Sequence, residues 1–214
     1  MPNILHIQAS PRGGESFSAR TAEALLTELA HARSDCTVET LDLFAADLPA
    51  FAAPAARAKY AVMGGQEPAD EAQQAWKPVL EAVEHFRAAD AYVLSTGMWN
   101  FSIPYRLKQY IDVIVQPGLT FSFSPESGYE GLVLGKPGAV IVARGGAYGE
   151  GSGMGSHDFQ LPYLRTVLGF IGLTDLTEIV IEPTLAAGPD AAGRALQRAV
   201  EKARAAAREI AGKL

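Results

Sequence analysis

Cysteine is almost missing from these 214 residues: Cys36 stands alone, so no internal disulfide can form, and a reducing, cytoplasmic setting is expected. Four scattered histidines and that one cysteine are too sparse for a metal site. A basic surplus is also lacking. The net charge of −6 disfavours nucleic acid as a partner, because a phosphate backbone needs a basic face. No apolar run reaches the length of a membrane span, and Met1-Pro2-Asn3 enters an apolar segment with no charged leader ahead of it, so no membrane partner and no signal peptide are expected.

Several motifs are missing as well. No Gly-x-x-x-x-Gly-Lys-Ser/Thr run occurs, which excludes a P-loop nucleotide site. Ser152 has Glu150 and Met154 where a hydrolase elbow needs glycines. No loop carries Gly-x-Gly-x-x-Gly spacing, which argues against a dinucleotide held in the Rossmann manner.

What is present is an ordinary globular balance, 48% hydrophobic and 20% charged, consistent with one domain over residues 1–214. Apolar runs at 3–8, 90–96, 138–143 and 173–181 read as strands covered on both faces. The alternating Thr37–Leu43 suits an edge strand. Between them, helical periodicity appears at 18–32, 70–89, 104–115, 158–172 and 189–211. Residues 44–68 are irregular, with one short helix near 55–63, and read as a binding lid or an interface. The polar and aromatic excursion 120–134 is a hairpin or a loop. The order βαβαβαβαβα implies an α/β, doubly wound, five-stranded parallel sheet with helices on both faces.

In such a sheet, ligands sit beyond the carboxyl ends of the strands, and in the strand order 2-1-3-4-5 the switch point holds FMN. Three loops leave those ends. The first, Gln8–Ser18, joins a strand to a helix; Ser10, Ser16 and Ser18 offer hydroxyls, and free N–H groups at the helix start attract a phosphate. The same residues also read as a plain turn with Ser16 or Ser18 as N-cap, and from the loop alone the two readings stand level. In the second loop, Met98, Trp99 and Phe101, with Tyr148 from the third, can wall a flat isoalloxazine. Asn100 and the N–H groups of Gly145 and Gly146 can donate to its pyrimidine edge. Arg144 either adds positive charge there or forms a surface ion pair. Phe121 and Phe123 lie under the excursion or cover a neighbouring subunit's site. His6 is structural, His31 and His85 are solvated, and His157, after the glycine run, either approaches a substrate or simply stands at a helix start, the second reading being favoured. No side chain is assigned as a catalytic acid or base.

Ser10 with Ser16-Phe17-Ser18, Met98-Trp99-Asn100-Phe101 followed by Ile103-Pro104-x-x-Leu107-Lys108, Gly118-Leu119-Thr120-Phe121, Arg144-Gly145-Gly146 and the run Pro162–Gly172 occur in a familiar order. Nearly end to end, the chain resembles the FMN-dependent NADH-azoreductases, also described as NADH:quinone oxidoreductases. The resemblance implies a flavodoxin-like homodimer with non-covalent FMN near the subunit interface. It places Ser10, Ser16, Phe17 and Ser18 on the phosphate, Met98, Trp99, Asn100 and Phe101 along the ring, and Ala143, Arg144, Gly145 and Gly146 at the pyrimidine edge. Asn100, Phe121 and Tyr148 are expected to meet substrate. Trp99 departs from a common Tyr, and Ala143 from a common Ser, which leaves only backbone contacts at that position. The implied reaction is ping-pong: NADH or NADPH passes hydride to flavin N5, and a quinone or azo compound then takes two electrons in the same slot. A flavodoxin-type electron carrier and a non-catalytic flavin-binding module are the alternatives; the segments 44–68 and 116–134 suit a substrate slot and dimer interface better.

Overall fold

A computed structural model describes all residues, 1–214. The elements follow in the order β1 (Asn3–Ala9), α1 (Phe17–Ala32), β2 (Thr37–Asp42), α2 (Ala53–Met63), α3 (Asp70–Ala88), β3 (Ala91–Gly97), α4 (Tyr105–Ile114), β4 (Phe121–Ser124), β5 (Gly128–Gly131), β6 (Gly138–Ala143), α5 (Leu161–Phe170), β7 (Leu176–Ile181) and α6 (Gly188–Lys213). Single 3-10 turns cover Gly13–Glu15 and Gly155–His157.

The main sheet runs β2-β1-β3-β6-β7, all parallel, which is the expected 2-1-3-4-5 order once the separate β4–β5 hairpin is set aside. β1, β3 and β6 are buried almost throughout, as their unbroken apolar runs require, while β2 lies at the edge with its first four residues exposed. One face is covered by α1 and α6. The stripe Ala195, Ala199, Ala203, Ala206 of α6 has no bulk beyond Cβ, so the two helices pack closely over Ile4, Val93 and Ile141. The other face carries α3, α4 and α5 over Leu5, Tyr92, Leu94 and Val140.

Two elements start three residues later than the periodicity suggests. α5 begins at Leu161, not at residue 158, because Asp158 Oδ1 accepts the N–H groups of Gln160 (2.9 Å) and Leu161 (3.1 Å) and so stands ahead of the helix. β7 begins at Leu176, not at 173: Gly172 adopts φ +103°, and the Leu173 N–H returns to Leu168 O to close the end of α5. The excursion is a hairpin, Phe121–Ser124 against Gly128–Gly131. It docks on the end of α5 through two glycines, since a Cβ on Gly131 would lie 2.3 Å from Gly172 N.

Tyr110 on α4 is a polar outlier in this core. Its hydroxyl is buried without a partner, and burial pushes the phenol far above its ordinary range. An unpaired buried hydroxyl carries its desolvation penalty uncompensated, so Tyr110→Phe is expected to raise the unfolding free energy by about 1 kcal/mol in urea denaturation. A loss of stability would show that the hydroxyl has a partner.

Candidate functional site

The strand register builds one rim. Ala9 lies level with Thr96, Gly97 with Ala143, and Ala143 with Ile181. The Met98 N–H donates to Ala143 O at 2.8 Å, and Thr96 Oγ1 donates to Ala9 O at 3.3 Å, so the loops after β1, β3 and β6 leave side by side.

In the loop after β1, Ser16 is the N-cap of α1, its Oγ accepting the Ala19 N–H at 3.4 Å. Ser16 and Ser18 also share a 3.0 Å hydrogen bond, and Ser18 is fully buried. The N-cap reading is therefore correct for Ser16, yet the helix start is not exhausted: the Phe17 and Ser18 N–H groups have no acceptor within the chain. Ser10, at the start of the same loop, is buried, while the Phe17 side chain packs against the α1–α6 core and offers a ligand chiefly its backbone.

The loop after β3 is a two-residue hairpin turn. Trp99 and Ser102 exchange both backbone hydrogen bonds at 2.9 Å, and between them Asn100 and Phe101 sit at φ +47° and +69°. Asn tolerates that region, but Phe at positive φ costs about 1–2 kcal/mol, and strain of this kind clusters where a ligand is held. The turn leaves Trp99 39% and Phe101 44% exposed and frees the Asn100 and Phe101 N–H groups. Phe101 faces Tyr148, with centroids 6.5 Å apart, and His157 at 5.9 Å. On its other side, Trp99 packs with Phe44 (5.7 Å) and Tyr105 (6.2 Å) beside an open groove of about 720 Å³.

Of the two readings of Arg144, the loop after β6 bears out the ion pair but not its place at the surface. The Arg144 guanidinium is 3% exposed and held by Asp158 (2.7 Å), Glu182 (3.3 Å) and Gln160 Oε1 (3.1 Å). Two carboxylates more than offset its charge, so any positive potential at this end of the rim comes from backbone dipoles. Those dipoles are present: the N–H groups of Gly145, Gly146 and Ala147 have no acceptor within the chain. Gln160 Nε2, in the same cluster, is a buried donor without a partner.

Free donors at a helix start, a strained aromatic turn and three consecutive free N–H groups suit a flat heterocycle carrying one phosphate: dipoles for the anion, apolar walls for the ring, donors for its carbonyl edge. A model of the flavodoxin-like fold matches residues 2–207. The FMN-dependent NADH:quinone oxidoreductase of Nitratidesulfovibrio vulgaris is 50% identical over 211 residues, spanning 98% of this chain and 100% of that protein. The chain belongs to this flavodoxin-like oxidoreductase family. Two solved relatives agree. The azoreductase from Bacillus anthracis str. Sterne superposes with a TM-score of 0.89 at 30% identity, covering 98% of this chain and all of the other. The FMN-dependent NADH-azoreductase from Bacillus anthracis str. Ames Ancestor, solved in complex with FMN, gives 0.87 at 26% identity over 99% of this chain and 100% of that one.

For this family member, Ser10, Ser16–Ser18, Met98–Phe101, Ala143–Gly146 and Tyr148 lie on the loops of one rim. Phe121 packs elsewhere, on Phe170 (4.7 Å) and Tyr129 (6.1 Å) of the hairpin cluster, and Phe123 is 61% exposed. Residues 44–52 are pinned to α4, with Arg106 bonded to the carbonyls of Leu43 and Ala46, and Gln109 to that of Pro49. Three residues absent from the sequence reading of the site join it, Asp158, Gln160 and Glu182 around Arg144, and His157 stands beside Phe101. Glu182 carried a readable signal, since it directly follows the last strand of a parallel sheet, at the edge where ligands bind. No helix is long and apolar enough to cross a membrane.

Proposed function

We propose that this chain holds FMN non-covalently across the loops after β1, β3 and β6, and uses NADH or NADPH to reduce quinones and to cleave aromatic azo compounds to amines. The observation that carries the reading is the alignment, on one rim, of unpaired backbone donors with an exposed aromatic turn strained into the left-handed region. FMN, when bound, supplies two-electron hydride chemistry at its N5.

The chain's own residues bind and orient. The Ser10 hydroxyl and the Phe17 and Ser18 N–H groups take the phosphate. Met98, Trp99, Asn100 and Phe101 run along the ring, and the donors of Gly145, Gly146 and Ala147 meet its pyrimidine edge, where fixed dipoles favour negative charge. Tyr148, facing Phe101, borders the space left for substrate. Donor and acceptor use that space in turn, so the nucleotide leaves before the acceptor enters. Exposed Tyr105 (64%), Phe123 (61%) and Tyr129 (65%) support a homodimer in which a second copy walls the slot and Phe121 meets substrate across the interface.

FMN titrated into the apoprotein is expected to give a saturable, stoichiometric complex. Steady-state NADH oxidation with a quinone acceptor is expected to give parallel double-reciprocal lines, the mark of a ping-pong order. Uptake of FMN without NADH consumption would point to an electron carrier or a non-catalytic module. No uptake of FMN overturns the reading.

A further inference from the structure

The backbone groups of the loop after β6 are divided between two uses. The segment Glu182–Ala186, directly after β7, takes one set. Glu182 Oε2 accepts the Tyr148 N–H and Oε1 the Gly149 N–H, each at 3.0 Å. Thr184 donates to Arg144 O twice, from its N–H and its hydroxyl, both at 2.9 Å. The Leu185 and Ala186 N–H groups converge on Gly145 O at 3.0 and 2.9 Å. What this leaves is the run of three free donors, Gly145, Gly146 and Ala147. Gly149 fits the same arrangement, because a Cβ there would lie 3.0 Å from Glu182 Oε1.

We infer that Glu182 is a positioning residue of the flavin site: its carboxylate, bound at once to Tyr148, Gly149 and Arg144, sets the direction of the three free donors without touching the cofactor. The inference rests on the FMN reading above. Register places Glu182 one residue beyond the Ala143–Ile181 pair, level with Arg144, and its side chain is 18% exposed. Carboxylate-to-N–H bonds at such a place are about twice as strong as neutral ones. The loop's own glycines supply no comparable restraint.

Neutralising this carboxylate has two opposed effects on a bound flavin. Loss of a negative charge favours the reduced anion and raises the midpoint potential. Loosening the three donors removes contact stabilisation of that anion and lowers it. The charge acts from a distance and beside the Arg144 guanidinium, whereas the donors act in contact, so positioning predicts a fall.

Glu182→Gln keeps the shape and removes the charge. Its FMN dissociation constant is expected to rise roughly tenfold. The midpoint potential of its bound FMN should fall, and amide exchange at Tyr148 and Gly149 of the apoprotein should quicken. Thr184→Val, which removes only the hydroxyl bond to Arg144 O, should weaken FMN binding roughly threefold and serves where Glu182→Gln fails to fold. Unchanged affinity, or a potential that rises, while the wild-type chain binds FMN overturns the positioning role alone. Failure of the wild-type chain to take up FMN overturns the functional reading and this inference with it.

Discussion

Replacing Arg144 with Met is expected to lower the unfolding free energy of the apoprotein by about 3 kcal/mol, the low end for breaking a buried ion pair. Met matches much of the Arg volume, so a cavity contributes little. The cost comes from what the guanidinium leaves behind: Asp158 and Glu182, whose side chains are only 12% and 18% exposed. Both are tied to backbone as well, Asp158 to the N–H groups ahead of α5 and Glu182 to Tyr148 and Gly149, so neither can swing freely into water. The partial exposure holds the estimate at the low end. Adding Asp158→Asn and Glu182→Gln to the same chain removes the stranded charges; Asn keeps the single oxygen that accepts from Gln160 and Leu161, and Gln keeps one of the two acceptors that serve Tyr148 and Gly149. That triple variant should recover at least half of the loss. If it recovers nothing, packing around Arg144, not charge, accounts for the effect. Urea denaturation of the apoprotein is the appropriate measurement, because bound FMN would add its own linkage to the apparent stability.

Acid should weaken the fold well before its carboxylates titrate. His6 lies in β1, 4% exposed, with Nδ1 3.2 Å from Thr40 Oγ1 and Nε2 2.9 Å from Ser95 Oγ. Burial pushes its imidazole down to about 4, a displacement that the charge of Asp42 opposes but does not cancel. The unfolded chain, with an ordinary imidazole near 6.5, binds a proton that the folded chain refuses. Stability from this group is therefore complete above about 6.5, and it is lost progressively as the pH falls toward 4. The full displacement corresponds to about 3 kcal/mol. Unfolding free energies measured across that window should show the fall in the wild-type chain and a much flatter profile in His6→Gln. An identical slope in both would assign the acid sensitivity to another group.

Much of the architecture was readable from local pattern. The unbroken apolar runs of β1, β3 and β6 marked central parallel strands, and the alternation in Thr37–Leu43 marked an edge. Turn chemistry at the carboxyl ends of those strands pointed to the three loops that share the rim. The missed boundaries have local causes of two kinds: a side chain acting two or three residues away, as with Asp158 ahead of α5, and a backbone closure around a left-handed glycine, as with Gly172 before β7. At Ser16 the N-cap reading holds without closing the phosphate reading, since a cap satisfies one donor of the helix start and leaves the Phe17 and Ser18 N–H groups free. Nothing local marked Phe101 for positive φ, because the residue type disfavours it and only the pairing of Trp99 with Ser102 enforces it.

By itself, then, the sequence determined the alternation of strands and helices, the burial of both sheet faces and the set of loops that meet at one edge. Periodicity and turn preference suffice for these, and both act over a few residues. Only the tertiary structure decided which polar groups of those loops are already spoken for. Arg144 finds Asp158 at 14 residues' separation and Glu182 at 38, and the pairing converts an apparent free cation into a buried, neutralised strut. The same contacts leave Gly145, Gly146 and Ala147 as the free donors. That division depends on the β6–β7 register and on the path of the chain between those strands, which no local propensity encodes.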